Sequence, residues 1–444
     1  MMLQRIIQFF LQAHFLFFIP PLIGQDINYA RKVVDTLTSI SMHGRGYVNH
    51  GDKVAASYIE NEFQAMGLKP FKEKYFQEFY FSINTFPDTI NVAINEEYLS
   101  PGVDYLILPN TTTVHGVFDC IWLNKSIIND KRKLRKFKKT NFSKKIIIVD
   151  DKEITEKEQL DFIKTLSANP LKAAGIIVLK DKLTWKTSRD TVAYIGLEIL
   201  RDKMYSFARI PQSPFPEDLK IALDIKNKFI KNYTSQNVIA HIKGSIYPDS
   251  FIVFSAHYDH LGQMGTNTYF PGANDNASGT AMLLNLAKYY SQPENKPDFS
   301  LTFMAFGAEE VGLVGSKYYT ENPLFPLKNI KFVLNMDIMG TGDEGITVVN
   351  ATKHQDEYNS IVRLNATKNY LKEVKSRGQT KNSDHYSFSE KGVKAFYIYT
   401  MGGIKAYHDI YDKSQTLPLT EFEDIHLLII DFIDYLQNNL SPKK

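Results

Sequence analysis

Three apolar runs in the second half of the chain each stop at a histidine or an acid. They are SFIVFSAHYD (250–259), SLTFMAFGAEE (300–310) and IKFVLNMDIMG (330–340). Such runs predict buried strands, and helical segments lie between or after them, notably SGTAMLLNLAKYY (278–290). The alternation predicts an α/β fold, a doubly wound and mostly parallel sheet with helices on both faces. Ligands of such sheets sit beyond the carboxyl ends of the strands. All three runs carry their ionisable residues at that end.

Composition narrows the chemistry. The chain has 444 residues, room for about two to three domains. Its 52 Lys+Arg against 49 Asp+Glu give a net charge of +3, too balanced for nucleic acid as the main partner. One cysteine, Cys120, excludes an internal disulfide and any Cys-based zinc finger. A bound metal must therefore take His and carboxylate ligands. Cys120 has no base partner in sequence and is expected to be a buried, inert thiol.

Residues 1–24 join one basic residue, Arg5, to an apolar run of signal-peptide length. They are expected to be a cleaved leader that exports the chain to a periplasmic or extracellular place. If the leader is not cleaved it becomes a membrane anchor. No later stretch is long and apolar enough to span.

From Asp26 to about Leu68 the pattern is helical, interrupted by the Gly-rich SMHGRGYVNHGD (41–52). Between about 105 and 230 come the β-rich runs KKIIIVDD (144–151), AAGIIVLKD (173–181) and TVAYIGLEIL (191–200), with helical character over 154–166. They predict a small separate module with no metal-ligand cluster. Its basic stretch DKRKLRKFKK (130–139) is expected to be a solvated face, and PQSPFPED (211–218) a loop. TEFEDIHLLIIDFIDYL (420–436) predicts a closing amphipathic helix.

Five positions carry the chemistry: His257, Asp275, the pair Glu309-Glu310, Asp337 and His408. His and carboxylates together suit zinc, or more loosely manganese or cobalt. The set exceeds what one tetrahedral zinc needs and suits two ions about 3.5–4 Å apart. Adjacent acids at a strand end repel each other unless a cation compensates or one takes a proton. Each position alone has a bland reading, Asp275 as a helix N-cap for example; their joint occurrence is what counts.

SAHYDHLG (255–262), GANDNASGT (272–280), FGAEEVGLVGS (306–316), NMDIMG (335–340), SDHYSF (383–388) and AYHDIYD (406–412) resemble, in order, the co-catalytic di-zinc aminopeptidase family. That family includes secreted bacterial leucine aminopeptidases, glutamate carboxypeptidase and the glutaminyl cyclases. The resemblance implies a zinc exopeptidase (phosphorylase/hydrolase-like) fold. Residues 25–104 would be the N-terminal part of the peptidase domain, 105–230 an inserted, protease-associated-like β-rich module, and 231–444 the catalytic zinc peptidase domain.

It also implies two Zn2+ per chain and peptide substrates. His257 and Asp337 would hold one zinc, Glu310 and His408 the other, with Asp275 bridging through a turn whose bond to Asn276 is often cis. Glu309 would be the general base and Tyr407 a hydrogen-bond donor to the oxyanion. Asp259 would orient an imidazole, Asp412 would stand behind the ligands, and Asp384-His385 would line the substrate pocket or form a structural pair. His260, His241 and His426 read as structural or surface residues.

Three competitors remain at this point. A glutaminyl-peptide cyclase typically has Trp where this chain has Tyr407, and the two tryptophans, Trp122 and Trp185, both lie in the insert. A glutamate-carboxypeptidase-like enzyme would need arginines converging on the site, the nearest in sequence being Arg363 and Arg377. A receptor-like binding module on the same fold would tend to lose ligands.

Overall fold

The computed structural model describes residues 26–207 and 218–440. The expected leader lies outside them, as does nearly all of the loop expected over 211–218. Two eight-stranded sheets organise the described residues. The main sheet runs in the order Phe76–Thr85, Lys228–Ile242, Phe299–Phe306, Tyr247–His257, Ile330–Met336, Ala395–Met401, Gly345–Val349, Val374–Arg377. Its four central strands, Phe299–Phe306 through Ala395–Met401, are mutually parallel, and antiparallel pairings flank them on both sides.

Strand alternation sends successive side chains to opposite faces. Ile252, Phe254 and Ala256 join a core with Val34, Phe63, Leu283 and Phe432, from four helices on one face. Phe251 and Val253 join Tyr319 and Phe388, from helices on the other. Each such side chain fully buried contributes about 1.5–3 kcal/mol. The register then fixes the active end. Ser255 pairs with both Met304 and Asn335, so His257, the Glu309-Glu310 pair and Asp337 leave neighbouring parallel strands at one level.

The second sheet gathers strands from Asn91–Ile94 to Lys220–Ile225, so it begins before residue 105. One face carries short helices, including Lys131–Phe137, the exposed basic stretch, capped by Asp130. The other packs against Leu261, Met264 and Phe270 of the main unit. Cys120 is buried there, and burial pushes its thiol pKa up to about 12. Helix Phe422–Leu440 closes the main core; among the described residues no helix is long and apolar enough to cross a membrane.

Helix Gly51–Ala65 places one acid inside the fold. Asp52 is buried and accepts from Tyr233 Oη at 2.5 Å and Ser235 Oγ at 2.8 Å. Burial outweighs those bonds and raises its pKa to about 6. The folded value lies above the unfolded one, so this contribution is complete below about pH 4 and lost as pH rises through 6. Asp52→Asn should therefore gain on the wild type by on the order of 2 kcal/mol between pH 4 and pH 7.5. Thermal melts of both proteins across that range measure it; a constant difference would mean that Asp52 titrates normally.

Candidate metal centre

His257 ends its strand with Nδ1 3.1 Å from the backbone carbonyl of Asp259, which turns Nε2 towards the pocket. There Nε2 lies 3.3 Å from Asp275 Oδ1 and 3.3 Å from Asp337 Oδ1. Asp337 follows the next strand, and its Oδ2 accepts from Ser383 Oγ at 2.8 Å. A fixed imidazole between two fixed carboxylates is a ready donor set.

Asp275 sits on a tight turn, and its peptide bond to Asn276 is cis. The Asp412 carboxylate accepts the backbone N–H of Asn274 at 2.9 Å and of Asp275 at 3.0 Å. Asn276 clamps the other side, its amide donating to Met336 O and its Oδ1 accepting from Gly279 and Ile338 N–H. Gly272 enters the turn at φ 59°, and a Cβ there would meet Asp275 O and the His260 ring. The turn aims Oδ2 of Asp275 at His408 Nε2, 3.0 Å away.

The Asp259 carboxylate lies beside the imidazole it was expected to orient, 3.8 Å from His257 Nδ1. Its oxygens also accept the backbone N–H of Glu309 at 3.0 Å and of Glu310 at 3.3 Å. It thereby fixes the turn that presents both glutamates, while its carbonyl orients His257. Asp384 and His385 do not line the pocket. Both are fully buried behind it, His385 against the Tyr397 ring at 5.3 Å, because Ser383 turns inward to Asp337 as the next helix begins. Asn382 and Arg377 take the lining positions.

Two contributors escape sequence reasoning. His260, read as structural, has Nδ1 2.7 Å from Glu310 Oε1 and lies with Asp275 and Glu310 in a group compact enough to hold an ion. Trp185 of the second sheet's unit accepts His408 Nδ1 on its carbonyl at 3.0 Å and donates its N–H to His408 O at 2.8 Å. The unit expected to hold no metal-ligand cluster thus sets the tautomer and direction of an imidazole. HYDH offered a signal for His260; a backbone partner more than two hundred residues away offers none. Tyr407 is 46% exposed and stacks on His408 with centroids 4.0 Å apart.

The charges fit a pair of cations. Asp275 faces His257 with one oxygen and His408 with the other; His257 Nε2 also meets Asp337, and His408 Nε2 is 3.3 Å from Glu310 Oε2. Burial opposes charge on His257, yet Asp337 and Glu309 raise its pKa well above the ordinary value. Burial likewise opposes His408, which Glu310 and Asp275 lift to about 9. Burial and the Glu310 charge push Glu309 well above the usual carboxylate range. Acids crowded so closely hold protons unless a cation replaces them. His nitrogens and carboxylate oxygens in two groups around one shared aspartate suit two zinc ions.

The match to known proteins falls on the segment that builds this centre. Residues 237–433 match the model of peptidase family M28. The matched segment is somewhat under half of the 444 residues. Among curated proteins, aminopeptidase YwaD of Bacillus subtilis is 35% identical over 175 residues, 38% of this chain and 36% of its own. Leupeptin-inactivating enzyme 1 of Streptomyces exfoliatus is 33% identical over 163 residues, 36% and 34% of the two chains. The chain thus spans about a third of the length of these relatives. Two solved structures share the fold along nearly the whole chain. A peptidase M28 precursor from Shewanella amazonensis reaches a TM-score of 0.68 at 16% identity, covering 94% of both chains. A zinc aminopeptidase from Bacillus subtilis reaches 0.66 at 19%, covering 92% and 94%.

Proposed function

We propose that this chain is an exported two-zinc aminopeptidase that hydrolyses N-terminal residues from peptides. What carries the reading is Asp275, set between two imidazole–carboxylate groups with Glu309 beside them in one pocket. His257 and Asp337 would hold one zinc, Glu310 and His408 the other, and Asp275 both. Zinc bound there would acidify the attacking water and polarise the scissile carbonyl.

The chain's own residues supply the rest. Glu309 takes the water's proton and hands it to the leaving amine. Tyr407 stays protonated, because burial and the surrounding carboxylates raise its pKa, so its O–H can donate to the developing oxyanion. A free substrate α-amine would dock beside the metals and Glu309, which restricts cleavage to N-terminal residues. Asp259 and Asp412 hold the two turns, and the Trp185 carbonyl holds His408. Export rests on the leader at 1–24.

A carboxypeptidase reading gains one observation, since Arg377 does line the pocket, whereas Arg363 is not among its lining residues. Blocked substrates separate the two. Leu-p-nitroanilide should be cleaved, and N-acetylation should cut kcat/KM by about 100-fold or more, because the blocked amine loses its place beside the metals and Glu309. Release of a C-terminal residue from N-acetylated peptides would replace the aminopeptidase reading with the carboxypeptidase one.

A further inference from the structure

Resting on the aminopeptidase reading, we propose that Arg377 recognises a carboxylate of the substrate and makes acidic or very short peptides the preferred class. The pocket has a volume of about 280 Å³, near the lower end for small-molecule sites (about 300–1,000 Å³). It has room for little more than one residue and its flanking groups.

The two ends of this pocket differ in kind. The inner end presents the acceptors Asp275, Glu309, Glu310 and Asp337. The outer end presents donors: Arg377, the Asn382 amide and the Tyr399 hydroxyl. The sheet itself brings Arg377 there. Val349 pairs with Arg377 on one side and with Tyr397 on the other, so both flank it on one face. Arg377 Nη1 then donates to Tyr399 Oη at 3.1 Å, with the guanidinium carbon 5.9 Å from that ring.

One of five guanidinium N–H donors is committed to Tyr399, whose own O–H stays available. Lys375, two residues earlier on the strand, has Glu373 at 3.8 Å. Among the described lining residues Arg377 is the one permanent cation. A substrate carboxylate at the guanidinium matches this donor end, and an arginine–carboxylate pair is the strong, geometrically specific form of such contact. The carboxylate has two sources, the side chain of an N-terminal Glu or Asp and the α-carboxylate of a dipeptide.

The test uses the full zinc-loaded chain with two substrate pairs, Glu- against Leu-p-nitroanilide and Ala-Ala against Ala-Ala amide. In at least one pair the ratio of kcat/KM, carboxylate-bearing over neutral, should fall about tenfold or more in Arg377→Met, mainly through KM. Arg377→Lys should restore part of it. A fall in the first pair identifies the side chain, in the second the chain terminus. Ratios unmoved in both pairs, or equal losses on all four substrates, overturn the assignment while leaving the aminopeptidase reading intact. A wild type that cleaves none of the four overturns that reading and the assignment with it.

Discussion

Glu309→Gln is expected to bind metal and fold as the wild type does while kcat falls by about 10²–10⁴-fold. The substitution keeps the shape of the side chain, and the turn that presents it is held by backbone contacts. The Asp259 carboxylate grips the N–H groups of residues 309 and 310, and Ala308 supplies the left-handed step at φ 58°. Neither contact involves the Glu309 carboxyl. What the amide removes is a proton acceptor. Burial and the neighbouring Glu310 charge raise the Glu309 pKa above the usual carboxylate range, which makes its carboxylate the stronger proton acceptor. Steady-state kinetics beside metal analysis by mass spectrometry would measure both halves. Turnover within tenfold of wild type, at equal metal content, would show that the water loses its proton to another group.

The parts of this centre that sequence reveals are those whose position depends on strand ends. His257, Glu309, Glu310 and Asp337 follow apolar runs, and parallel register brings such ends level whatever the loops do. Asp275 and His408 were legible through motif order. What stayed hidden depends on how loops approach one another. Asp259 was expected beside an imidazole, and only the fold shows that its carboxylate, 3.8 Å from His257 Nδ1, also accepts two backbone N–H groups. His260 differs from any loop histidine only by the 2.7 Å approach of Glu310. The described residues of the second sheet's unit supply no ligand side chain to the centre, so nothing in their sequence marks the Trp185 carbonyl that directs His408. Arg377 lies on a short edge strand whose exposure pattern reads as plain solvent face until its register with Val349 and Tyr397 is known.

Stripping the metal should abolish activity and lower the melting temperature by on the order of 10 °C, with about two zinc equivalents per chain restoring both. The size follows from linkage. A ligand held at about 1,000 times its Kd stabilises the fold by about 4 kcal/mol, and two sites by about twice that. Near 60 °C the unfolding entropy is about 2.1 cal/mol/K per residue, so a chain of this length loses about 1 °C per kcal/mol. The structure adds a reason for the sign. Four carboxylates converge around two imidazoles at the buried end of one pocket, and their repulsion is relieved by protons or by a divalent ion. Asp275→Ala removes the oxygen pair shared by both groups, so its melting temperature should respond to chelator by no more than about 2 °C. Calorimetry with and without chelator, on both proteins, separates metal linkage from any general effect of the chelator. An equal shift in the two would place the stabilising metal elsewhere, and a wild-type shift near zero with metal fully removed would mean that the acids of this pocket tolerate one another through protonation alone.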